Sequence, residues 1–70
     1  MIDEKSAKQV KKLIVDAMES MSSSLLLING KFEPDTYESM KRVIGEAIGK
    51  LEAEYLVHIY REHPHLDELK

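Results

Sequence analysis

Asn29-Gly30-Lys31-Phe32-Glu33-Pro34-Asp35 is the one clear break in a chain that carries helical periodicity on both sides of it. Gly30 takes a left-handed conformation at little cost and so ends a helix, with Asn29 beside it. Either Pro34 occupies the first position of the next helix, or Asp35 caps it with Glu38 placed to complete a capping box. A connection this short folds the second helix back antiparallel on the first.

Working backwards from the break, Val10, Leu13, Ile14, Ala17, Met18, Met21, Leu25 and Ile28 fall on one broad face when projected at about 100° per residue. A helix over about residues 4–28 follows, with Asp3 as N-cap and Glu4 in its first turn. Beyond the break, Tyr37, Met40, Ile44, Ala47, Ile48, Leu51, Tyr55 and Ile59 make a second stripe, with His58 at its edge. This helix runs over about residues 35–62 and stops before Pro64, because the residue preceding a proline avoids the helical region. Residues 29–34 form the loop, and the tail 63–70 either adds a turn that sets Leu66 beside Leu69 or frays. The fold expected is all-α, an antiparallel two-helix hairpin in a single domain over residues 1–70. Strand signals and internal repeats are absent.

Seventy residues without cysteine bury little apolar surface alone and have no disulfide to help, so self-association is the natural supplement. The apolar residues off the main stripes say where. Val15 and Leu26 lie on one flank of the first helix and Leu27 on the other, while Tyr55-Leu56-Val57-His58-Ile59-Tyr60 is apolar on almost every side. These segments sit at opposite ends of the hairpin. An antiparallel two-fold dimer brings them together as a four-helix bundle, with Leu26, Leu27, Gly45, Gly49, Leu56 and Tyr60 at the interface. Gly45, Gly49 and Ala53 form a small-residue row that admits another helix closely, or else the glycines are merely tolerated at a gentle bend.

Thirteen acidic against ten basic residues, with both signs interspersed, exclude a strongly basic nucleic-acid protein. The longest apolar run, Leu25-Leu26-Leu27-Ile28, is far short of the ~20 residues of a membrane span, and the charged start does not read as a secretory signal. A cytoplasmic protein without a cofactor is expected.

Candidate chemistry is sparse. Glu54, His58 and Glu62, spaced four apart, offer weak metal ligands on one helical face, against the plainer reading of a histidine at the edge of the core. His63-Pro64-His65 is explained by the helix dipole and the proline stop. Lys5, Lys8 and Lys12 share one side of the first helix, with Lys11 adjacent, and present a phosphate-contacting face, with an ordinary solvated face as the alternative. Ser22-Ser23-Ser24 has no base in the sequence around it, and no nucleotide-binding or nucleophile-elbow fingerprint occurs. The chain therefore reads as a small non-enzymatic interaction or adaptor protein acting as a homodimer. Leu56, Tyr60, Leu66 and Leu69 are the residues expected to contact a partner protein, and phosphate-backbone binding by the lysines is the alternative.

Overall fold

The structure, a computed structural model, describes residues 1–67, so Leu69 lies outside the described residues. Helix α1 spans Glu4–Ile28. Asp3 caps it, its carboxylate accepting the backbone N–H of Ser6 at 3.1 Å. Hydrogen bonding from Ser6, side chain first and backbone second, holds the Asp3 carboxyl below its ordinary value. At the far end, Asn29 is extended at φ −61°, ψ 122° and Gly30 has φ +84°. Lys31 N–H closes the turn on the Ile28 carbonyl at 3.0 Å. That is a type II turn, whose third residue needs positive φ, and Gly30 is the residue that supplies it without strain.

Helix α2 spans Pro34–Lys50 with proline in its first turn, so Asp35 sits inside the helix and does not cap it. The helix then continues as a π turn, Leu51–Leu56, before resuming as α3, Val57–Glu62. Among the described residues no strand occurs.

The π turn corrects the second stripe. Continued as a regular α-helix, residues 51–62 would bring Tyr55, His58, Ile59 and Glu62 to the seam, two of them polar. One extra residue in the turn winds the later residues back by about 100° and presents Leu56, Ile59, Tyr60 and His63 instead. Leu56 is accordingly fully buried, while Tyr55 is 48% exposed. His58 and Glu62 move out to water. Burial of a leucine side chain, worth about 2 kcal/mol, outweighs the poorer hydrogen bonds of a single π turn.

Past Glu62, His63 leaves the helical region and Pro64–Leu66 forms one 3₁₀ turn, closed by Leu66 N–H on the His63 carbonyl and Asp67 N–H on that of Pro64. This turn folds Leu66 inward. The buried core is Ala7, Met18, Leu56, Ile59 and Leu66, flanked by Ile2, Val10, Ile14, Val15, Ile48, Leu51 and Tyr60. It lies toward the end of the hairpin where the chain termini meet. Helix α2, next to the loop, buries none of its residues.

Leu56→Ala should cost about 3 kcal/mol in urea unfolding, the usual loss for a fully enclosed leucine. Deletion of Ala53 should restore an unbroken α-helix with Leu56 still inward and keep the helical circular-dichroism signal. Deletion of Arg42, equally exposed, should misphase everything after it and unfold the chain.

Candidate functional site

Two hollows follow one another along one face of the hairpin. The one nearer the loop is lined by Ser24, Leu25 and Ile28 from α1 and by Met40, Val43 and Ile44 from α2. The next is lined by Met21 and by Ala47, Lys50, Leu51, Glu54 and Tyr55. On α1 this face continues as Leu13, Ala17, Ser20, Ser24 and Leu27, alternately four and three residues apart, all exposed and all uncharged. Such spacing keeps side chains in line along a helix and is the spacing by which helices contact each other. Leu13 is 68% exposed, Leu27 77% and Val43 62%. Lys50 and Glu54 are the charged residues lining the hollows, both at the inner end.

This is not the interface expected from sequence. Leu27 belongs to the face, but Leu26, Gly45 and Gly49 lie round the other side of the seam, by the same projection. Nothing lies within 4 Å of a Cβ built on either glycine, so no helix of this chain uses the space. Leu56 and Leu66 are not surface residues at all: the π turn and the 3₁₀ turn put them into the chain's own core. Tyr60 is half-buried, with Lys11 Nζ 5.9 Å from its ring centroid.

The second cluster joins the chain ends. Ile2 N–H donates to Glu62 Oε1 at 2.9 Å, and the His63 ring, through Nε2, donates to the Ile2 carbonyl at 2.8 Å. Lys11 donates to the Leu66 carbonyl. Glu4 Oε1 is 3.0 Å from His65 Nε2, and its other oxygen is 3.4 Å from Lys8 Nζ. The hydrogen bond and charge of Lys8, then the charge of His65 when protonated, hold the Glu4 carboxyl below its usual value. His63 and His65 stand edge to face, ring centroids 5.9 Å apart. One nitrogen from each ring and one Glu4 oxygen all lie within 4.8 Å of each other.

The structure does not gather Glu54, His58 and Glu62. The π turn breaks the four-residue register between Glu54 and His58, leaving Glu54 on the apolar hollow, His58 exposed and Glu62 bonded to Ile2. Sequence reasoning missed the grouping that does form, because Glu4 and His65 are distant in sequence and each has a sufficient local explanation. Only the hairpin's return joins them.

Of the lysines, Lys8 faces Glu4, Lys12 is 2.8 Å from Asp16 and Lys11 is held by Leu66 and Tyr60, while Lys5 is exposed. Its bond to Asp16 raises the Lys12 ammonium above its ordinary value. Ser24 Oγ donates back to the Met21 carbonyl, as helical hydroxyls do. No described helix is long and apolar enough to cross a membrane. Comparison with protein-family models, with curated proteins and with solved structures finds no match to the chain.

Because Gly45 and Gly49 face open space inside a helix, Gly45→Ala and Gly49→Ala should each stabilise the fold by about 0.5–1 kcal/mol, read as a higher urea midpoint. A loss of stability in both would mark that side as a contact surface.

Proposed function

We propose that the chain is a small non-enzymatic interaction protein whose working form is a homodimer, two hairpins packed groove to groove as a four-helix bundle. The observation that carries this reading is the uncharged exposed stripe Leu13, Ala17, Ser20, Ser24 and Leu27 beside Val43 and the apolar hollows. A monomer leaves that surface wet. From Leu13 to Leu27 the stripe runs about 21 Å, roughly half of the 45 Å length of the hairpin.

A second copy fits because the face is self-complementary. It is apolar along its length, with one cation and one anion, Lys50 and Glu54, at the inner end. A two-fold axis across the groove, at right angles to the helices, lays each helix along its own copy and lets the leucines interdigitate. Small side chains at Ala17, Ser20 and Ser24 let the two α1 helices approach closely. The face used differs from the one expected from sequence, because the Tyr55–Tyr60 segment is partly closed over by the 3₁₀ turn that seats Leu66.

Light scattering at tens of micromolar should give about 16 kDa, twice the 8.0 kDa of one chain. Leu27→Glu and Val43→Glu should each cut that mass to one chain and remove the concentration dependence of Tm. A wild-type mass of one chain with full helicity would overturn the proposal.

A further inference from the structure

We propose that Glu4, His63 and His65 form a binding site for a first-row divalent transition metal of the zinc class, which fastens the beginning of α1 to the turn after α3. Two imidazoles and one carboxylate are a donor set that zinc uses with a water or further ligand in the fourth position. Magnesium and calcium prefer oxygen throughout.

Three features of the cluster go beyond a chance meeting of surface groups. The first is convergence: the ligand atoms, all within 4.8 Å of one another, come from the two ends of the chain. Ligands about 2.0–2.1 Å from a tetrahedral ion lie roughly 3.3 Å apart, so small side-chain rotations close the set. The second is orientation. A carbonyl only accepts, so the His63 bond to Ile2 places the ring proton on Nε2 and leaves the lone pair of the neutral ring on its other nitrogen. A backbone carbonyl holding the far side of a histidine is the usual outer support of a metal ligand. The third is access: Glu4 and His65 are exposed and His63 is half-buried, so an ion enters without the core opening.

Lys8 opposes the ion, being 3.4 Å from the second Glu4 oxygen. It is itself exposed, and on metal binding it swings into water. Binding also displaces the Glu4–His65 contact of 3.0 Å, with any proton on His65 released to solvent. The site needs one chain only, so it stands or falls separately from the proposed dimer.

The test is zinc titration of the full untagged chain, followed by calorimetry and thermal melting. One zinc per chain is expected, with Tm rising by on the order of 10 °C at a hundredfold excess over Kd, and no response to millimolar magnesium. Glu4→Gln and His65→Gln should each weaken zinc binding at least tenfold, Lys8→Gln should tighten it, and His58→Gln should leave it unchanged. Proton NMR gives a readout independent of the variants: zinc should shift the ring signals of His63 and His65 and spare those of His58. No saturable binding, binding undiminished in Glu4→Gln and His65→Gln, or a zinc response at His58 would overturn the site.

Discussion

A helix advancing about 100° per residue keeps one face against a neighbour, and the apolar residues beyond Leu51 are out of phase with those before it. Everything at the closed end of this molecule depends on how that mismatch is resolved. The π turn at Leu51–Leu56 absorbs it by one residue, and Leu56, Ile59 and Tyr60 then continue the seam begun by Ile44, Ile48 and Leu51. Because His63 follows in the same phase, its ring reaches the Ile2 carbonyl. The position of the tail, and with it the seat of Leu66, is inherited from that single slip.

The result is a hairpin with two unlike halves. Near the termini, side chains from α1, the π turn, α3 and the 3₁₀ turn surround one another, and four kinds of polar contact hold the ends: backbone to carboxylate, imidazole to carbonyl, ammonium to carbonyl, and carboxylate to imidazole. Near the loop, two helices touch along one line with nothing laid across them, and Met40, Val43 and Ile44 border an open hollow. Two cylinders in contact cannot enclose a side chain; a third element is needed. At one end the chain supplies that element itself.

What could be read from sequence follows the range of the interactions involved. The Asp3 cap, the Gly30 turn, Pro34 at the start of α2 and the stop at Pro64 are settled within a few residues, and the sequence-based boundaries agree closely with them. The choice between Tyr55 and Leu56 is tertiary: either side chain is acceptable locally, and the decision falls to what else shares the face, His58 and Glu62 or Tyr60 and His63. Leu13 and Ala17 were within the expected stripe but are exposed, since that stripe is wider than a single neighbouring helix covers and the seam centres on Ala7, Ile14 and Met18. The grouping of Glu4 with His63 and His65 was invisible because no periodicity connects the two ends of a chain.

Chain ends are ordinarily where a small protein frays. Here Ile2 and Leu66, near the two limits of the described residues, belong to the best-packed part, and the middle of the sequence, around the Gly30 turn, has the fewest enclosed side chains. The loop end, with few enclosed side chains, is therefore the part expected to open at lower free energy than the end around Leu56. Burial of Leu66 in one core with Ala7 closes most of the chain into a loop, whose entropy cost grows only slowly with loop length. Most of the close residue pairs nonetheless lie within the helices, so contact order is low and the search is short, as for other all-helical chains.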